Sequence, residues 1–278
     1  MTWTTTLLVL AAAALHAAWN AVVKSAGDRL MSVVALTAWA AVIVTPLLLF
    51  VPIPEPRLWP ILLSSAVIHW TYTVLIAFNY DKGDMSRVYP IMRGAAPLIV
   101  AVITTLVLQQ RLGLMAWAGV IVISSGILLL SLEHGLPKSW ADVGLALMSA
   151  AATAAYTIVD GRGVQMADSP LAFALWLFWL IGAPLGAWAL VARRGPFLQT
   201  LKAHWGRTFL AGAGSIASYG LALWAMTLSP IVLVAALRET STLFGTLIAA
   251  TLLKEAIGRA RVAATVVIVA GAVLVRLA

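Results

Sequence analysis

The chain has 278 residues, of which 62% are hydrophobic and only 10% charged, and its formal net charge is +8. Soluble domains run at roughly 25% charged residues, so a chain this apolar cannot clothe a water-facing surface and reads as an integral membrane protein. The positive balance then reflects loop lysines and arginines that set orientation, with no nucleic-acid partner, and the absence of cysteine excludes disulfides, thiolate metal sites and a cysteine nucleophile.

A bilayer core takes ~20 apolar residues per helix. Ten runs fit, at about Trp3–Val23, Leu30–Val51, Leu58–Tyr80, Arg87–Gln109, Leu114–Leu132, Trp140–Val159, Pro170–Ala192, Arg207–Thr227, Pro230–Leu253 and Val262–Arg276. Met1 to Leu15 has no basic n-region, so no cleaved leader is expected. The breaks carry turn chemistry: Pro52-Ile53-Pro54-Glu55-Pro56, Asp81-Lys82-Gly83-Asp84, Gly161-Arg162-Gly163 after the sixth run, and Ser229-Pro230, which divides a stretch too long for one span. His134 and His204 fall in loops, and Gly212-Ala213-Gly214-Ser215 reads as a helix-contact strip.

The second half repeats the first. A shift of 145 residues places Arg238 on Arg93, Gly258 on Gly113 and Gly271 on Gly126, with no gap from Pro90 to Ser131. Matched leucines mean little in an apolar chain, but a matched intramembrane arginine with two matched glycines carries weight. His16-Ala17-Ala18-Trp19-Asn20 likewise matches Thr153-Ala154-Ala155-Tyr156-Thr157 in pattern. Five helices per half is an odd number, so the second copy enters from the opposite side. The expected fold is all-α, ten transmembrane helices as two inverted five-helix repeats around a central cavity. The repeats are placed at residues 1–136 and 137–278, joining near Gly135-Leu136-Pro137-Lys138.

The chemistry is concentrated in Arg238-Glu239 and Arg93. A charge at mid-bilayer depth costs at least ~2.5 kcal/mol on insertion scales, so such residues face a cavity or a partner. Each arginine lies ~9–12 Å inside its helix at 1.5 Å per residue. A guanidinium fork fits a carboxylate or phosphate. The alternative is a structural pair with Glu239, or capping of carbonyls at a broken helix. Glu239 can serve a proton, a substrate ammonium group or Arg93. His16 and His69 change charge near neutral pH and could couple transport to protons; the plainer reading is neutral, hydrogen-bonded histidine. Trp19, Asn20, Tyr72, Asn79, Tyr80 and Tyr89 are candidate lining, although each also suits packing or interface anchoring. No Walker-type glycine run, His-x-x-x-His pair or Gly-x-Ser-x-Gly elbow is present. No metal site or cofactor is expected.

The first-helix His16-Ala17-Ala18-Trp19-Asn20 segment and the fourth-helix stretch Arg87-Val88-Tyr89-Pro90-Ile91-Met92-Arg93-Gly94-Ala95-Ala96-Pro97 carry a resemblance. So do the helix end Gln109-Gln110-Arg111-Leu112-Gly113 and its second-half counterpart Lys254-Glu255-Ala256-Ile257-Gly258. With the 5+5 layout, the chain resembles the EamA-like branch of the drug/metabolite transporter superfamily. The resemblance implies a central cavity lined mainly by helices 1, 3, 4, 6, 8 and 9, with 5 and 10 as scaffold. Gln110 departs from the acidic residue common there, while Glu255 keeps it, and helix 1 offers His16 where small multidrug relatives use a glutamate.

The resulting expectation is a non-enzymatic secondary transporter of small polar metabolites, anionic or zwitterionic. It would be multi-pass in the plasma (inner) membrane, among lipid, as a monomer or weak dimer with protons as the candidate coupling ion. A membrane-embedded enzyme acting on lipid phosphates and a non-transporting subunit are the alternatives. Twelve loop lysines and arginines after odd-numbered helices against four elsewhere put the termini outside; the resemblance implies termini in the cytoplasm.

Overall fold

A computed structural model describes residues 1–23, 28–82, 85–130, 139–251, 254 and 258–278. The expected repeat junction at 135–138, Gly83, Asp84 and Glu255 lie outside the described residues. Among the described residues every regular element is a helix. They are α1 (Trp3–Val23), α2 (Arg29–Val44, extended to Phe50 by a 3-10 turn), α3 (Trp59–Lys82), α4 (Met85–Leu106), α5 (Leu114–Leu129), α6 (Trp140–Met166), α7 (Pro170–Ala192), α8 (Arg194–Leu228), α9 (Ile231–Thr251) and α10 (Arg259–Leu277). Nine are long and apolar enough to cross a membrane, and α5 is a shorter apolar helix of 16 residues.

Local chemistry sets the starts. Asp28, Ser139 and Ser169 sit at N-caps, and their side chains accept from the backbone N–H groups of Met31, Asp142 and Ala172. Pro170 opens α7, where a missing N–H is harmless. The outer surface carries large apolar side chains such as Leu49, Leu114 and Val191, while Asn79, Asp160 and Glu239 are buried. This is the arrangement for a hydrocarbon surround.

The repeat governs packing. α1 packs on α8, and its counterpart α6 packs on α3; α4 packs on α6, and α9 on α1. The self-related pairs α2–α7 and α5–α10 pack extensively. The α5–α10 crossing is close because Gly119 and Gly271 face each other: a Cβ on Gly119 would lie 3.1 Å from the Gly271 carbonyl oxygen, and one on Gly271 would lie 3.0 Å from that of Gly119. The repeat extends to backbone angles. Gln109 and Lys254, 145 residues apart, are the two non-glycine residues with positive φ among those described, at 51° and 54°. Gly113 and Gly258 cap the following helices with φ of −66° and −69°.

The Met1 nitrogen donates to the Arg276 carbonyl at 3.1 Å, and the Arg276 guanidinium lies 3.5 Å over the Trp3 ring. The two chain ends therefore meet on one side of the bundle. Gly212 and Gly214 act as helix contacts, as expected: they back onto Leu36, Trp39 and Ala40 of α2 and onto Trp19 of α1.

Two expected breaks are corrected. α6 does not stop at Val159 but runs to Met166, through Gly161-Arg162-Gly163. These glycines make room for neighbours: a Cβ on Gly161 would meet Ile231 of α9 at 2.7 Å, and one on Gly163 would strike Phe173 of α7. His204 is not in a loop before an eighth helix starting at Arg207. The helix starts at Arg194, and His204 is its elbow, with φ −136° and ψ 23°. The segment before the elbow buries Phe197 against Met31, Val34, Ala35 and Ala189. That apolar anchor makes a helix of a stretch whose basic residues resemble a loop.

Candidate functional site

The centre of the bundle is built where α9 breaks. Arg238 ends its first half, Glu239-Thr240 form a turn, and Ser241 begins the second half. The turn is tightened by bonds from the Glu239 and Thr240 nitrogens to the carbonyls of Ala236 and Leu237, both 3.1 Å. Arg93 reaches this turn from α4. Its Nε lies 3.0 Å from Glu239 Oε2, and its Nη2 donates to Ser241 Oγ at 2.7 Å. The Nε–H is not aimed at the carboxylate, so the pair is an ion contact without an aligned hydrogen bond. Both side chains are largely buried. Taking two charges out of water is expensive, and their attraction offsets it only where each keeps its partner.

Arg238 is placed differently. Its Cζ lies 4.9 Å from the Tyr219 ring centroid on α8, a cation–π contact. Among the described residues no carboxylate comes within 4.0 Å of it. Of the two repeated arginines, one is thus neutralised by Glu239 and the other is cradled by an aromatic face.

Tyr219 links Arg238 to a group that the sequence reading did not single out. Asp160, on the extension of α6, is fully buried. Ser65 Oγ donates to its Oδ1, Tyr219 Oη donates to Oδ2 at 2.5 Å, and His69 Nε2 is 3.1 Å from the same Oδ2. Three helices, α3, α6 and α8, meet on this one carboxylate. The His69 ring stacks on Tyr156 at 4.2 Å, and Tyr156 meets Tyr72 at 5.6 Å and Tyr219 at 6.3 Å, both edge-on.

The remaining candidates surround this core. His16 stands edge-on to Trp19 at 5.0 Å and lies in the field of both Arg93 and Arg238. Tyr89 is partly exposed, with the Arg93 guanidinium 5.9 Å from its ring. The Asn20 amide donates to the His16 carbonyl within its own helix at 2.9 Å. Asn79 lies elsewhere on α3, donating to Ser149 Oγ at 2.8 Å. The polar cluster therefore draws on α1, α3, α4, α6, α8 and α9, the six helices that the family resemblance implies. Open surface hollows, lined by Gly195, Leu198, Gln199, Lys202 and Ala203 and by residues up to Arg207, follow the α8 elbow and contain none of the clustered side chains.

Asp160, Tyr219 and Ser241 are not among the sequence candidates, and Tyr156 enters there only as the counterpart of Trp19 in the repeat, where the aromatic and polar pair could line a pocket. Asp160 was hidden because the flanking glycines read as a turn. A buried acid two turns before Ala167, in phase with Thr153 and Tyr156, was the available signal.

No curated protein matches the chain significantly. A solved structure described only as "Crystal structure of protein" superposes with a TM-score of 0.75 at 18% identity, covering 100% of this chain and 98% of that one. At that identity it attests the fold alone, and it agrees with the ten-helix arrangement. The EamA-like transporter family model matches residues 3–132 and again 141–277, one match per five-helix repeat. Both halves of the bundle, and with them both arginine-bearing helices, fall inside those matches, and the chain belongs to the EamA-like transporter family of multi-pass membrane proteins.

Proposed function

We propose that this transporter moves small polar metabolites bearing a carboxylate or similar oxyanion, anionic or zwitterionic, across the plasma membrane, without enzymatic chemistry. The observation that carries the reading is Arg238: a half-buried guanidinium on the face of Tyr219, with no carboxylate within ion-pair distance among the described residues. An intramembrane cation of this kind needs a counter-charge, and an oxyanion matches its planar fork. The Arg93–Glu239 pair fixes the α9 turn and so holds Arg238 in place. Tyr156, Tyr72 and Tyr219 offer an aromatic wall for the body of the substrate, with His16, Trp19 and Tyr89 at its margins. One chain supplies every one of these groups.

The test is a thermal-shift screen of the purified chain in detergent against carboxylates, amino acids, phosphorylated metabolites, cationic amines and neutral sugars. A ligand that binds only the folded state raises its stability. Stabilisation by carboxylates or amino acids, lost in Arg238→Leu, supports the reading. Stabilisation by cationic amines alone would overturn the substrate class. Response to lipid phosphates alone would favour the membrane-enzyme or subunit alternatives.

A further inference from the structure

The Asp160 cluster is separable from the arginine pair. We propose that Asp160 is a reversible proton-binding site, loaded through His69, and that its protonation is signalled to Arg238 through the Tyr219 hydroxyl. This rests on the transporter reading only for its purpose; proton binding itself is a property of the cluster.

The geometry points there in three steps. First, Asp160 is a fully buried carboxyl on a membrane-spanning helix, and among the described residues no cation lies within 4.0 Å of it other than the His69 ring. Its three partners are Ser65, Tyr219 and His69, of which only the histidine ring can both take up and release a proton at a ring nitrogen. Arg93 is in ion contact with Glu239 and Arg238 lies over the Tyr219 ring, and neither is within 4.0 Å of the Asp160 carboxylate.

Second, access is one-sided. The Asp160 side chain is 0% exposed and that of His69 is 15% exposed. A proton arriving at the cluster meets His69 first and passes from Nε2 to Oδ2 across their 3.1 Å contact.

Third, Oδ2 is shared. As a carboxylate oxygen it accepts from both Tyr219 and His69. Once it carries the proton it becomes a donor, to neutral His69 Nε2, and is a poor acceptor for the Tyr219 O–H. The tyrosine hydroxyl is then released, and the Tyr219 ring is the surface on which Arg238 rests. Protonation of one group and oxyanion binding at the other thereby compete for one ring.

The charged and titratable groups around Asp160 come from every neighbouring helix. They are His69 and Tyr72 from α3, Tyr156 from α6 itself and Tyr219 from α8. Arg93 and Tyr89 come from α4, and Arg238 and Glu239 from α9; α7 carries none. Glu239 was the acid expected to carry protons with His16. Its contact with Arg93 gives it a fixed counter-charge, which Asp160 lacks among the described residues.

The experiment is an infrared pH titration of the full-length chain in lipid, following the protonated-carboxyl C=O stretch in light and heavy water. The expected result is a titrating carboxyl band that disappears in Asp160→Asn and persists when Arg93→Leu and Glu239→Leu are combined, which removes the other buried acid without leaving a charge unpaired. Tyr219→Phe, which removes one hydrogen bond and leaves the acid, should shift the frequency of that band and move its midpoint by about one to two pH units, the scale of a hydrogen bond to a charged group. A band unchanged in Asp160→Asn, a band indifferent to Tyr219→Phe, or carboxylate bands that follow sodium concentration instead of pH would each overturn the site. The Tyr219→Phe comparison decides the matter if Asp160→Asn fails to fold. The two readings fail separately. A chain stabilised by carboxylates whose Asp160 does not titrate keeps the transport proposal and loses this one. A chain whose Asp160 titrates but which binds no metabolite does the reverse.

Discussion

Arg93 Nε lies 3.0 Å from Glu239 Oε2, and this contact joins α4 of the first repeat to the broken turn of α9 in the second. Removing one member leaves a buried charge without its partner, which costs about 3–5 kcal/mol. Glu239→Gln and Arg93→Leu are therefore each expected to lower the thermal unfolding temperature of the detergent-purified chain sharply. The double change Arg93→Leu with Glu239→Leu should recover most of that loss, since two apolar groups of similar size leave nothing unpaired. A double mutant as unstable as the sum of the two singles would show that the residues do not act as a pair.

Arg238→Lys should behave in the opposite way. The side chain pairs with no carboxylate among the described residues, so the fold has little to lose, and an ammonium group keeps the charge over Tyr219. What disappears is the two-pronged fork. Unfolding temperature should stay close to that of the parent chain. Affinity for the best carboxylate from the thermal-shift screen should fall about tenfold to a hundredfold, the equivalent of one charge-assisted contact. Unchanged affinity would remove Arg238 from the binding site.

These two arginines also show how far the sequence could be read. Their identical placement in the repeat was plain, because a 145-residue shift aligns them with Gly113/Gly258 and Gly126/Gly271, and the same shift relates the left-handed Gln109 and Lys254. Their different environments were not. Arg93 meets an acid because Glu239 stands where the first repeat has Gly94, and Arg238 has no such neighbour in return. Duplication shows position, whereas partners depend on the residues that have diverged. Asp160 was hidden for the same reason. The alignment that pairs His16 with Thr153 puts Asp160 opposite Val23, so the repeat held no echo of it. Gly161 and Gly163 imitate a turn in sequence, and only the packing of Ile231 and Phe173 against them shows why a helix needs glycine there. The α8 elbow followed the same pattern, since burial of Phe197 outweighs the loop-like run of basic residues.

The α5–α10 crossing supplies a stability test free of the polar centre. A Cβ on Gly271 would lie 2.7 Å from the Ile123 backbone nitrogen, an atom that cannot turn aside. Gly271→Ala should force the helices apart and destabilise by ~1–3 kcal/mol, the usual range for overpacking. Gly144→Ala in α6 is the matched control, because nothing lies within 4 Å of the added methyl. There the change should stabilise, by up to ~1 kcal/mol, through helix propensity alone. Equal effects at the two positions would mean that the close crossing contributes nothing.

Orientation in the membrane follows from α6. It runs for 27 residues from Trp140 to Met166, about 40 Å at 1.5 Å per residue, against a hydrocarbon core of ~30 Å. Ser139, at its N-cap, and Asp168, just beyond its end, must then lie on opposite faces. Asp168 is exposed and its contact with Arg57, at 3.2 Å, ties the loop after α6 to the loop after α2. An exposed pair of this kind contributes little to stability, so its loss is tolerable in a probe. The chain has no cysteine of its own, so a single introduced thiol gives a clean signal. Counted along the sequence, lysines and arginines are more numerous around the connections after odd-numbered helices, and the positive-inside rule predicts those ends in the cytoplasm. Asp168→Cys should accordingly react with a membrane-impermeant maleimide in intact cells, and Ser139→Cys only after permeabilisation. The reverse pattern would place both chain ends in the cytoplasm, beside the Trp3–Arg276 contact. It would also show that the basic loops of this chain do not decide how it inserts.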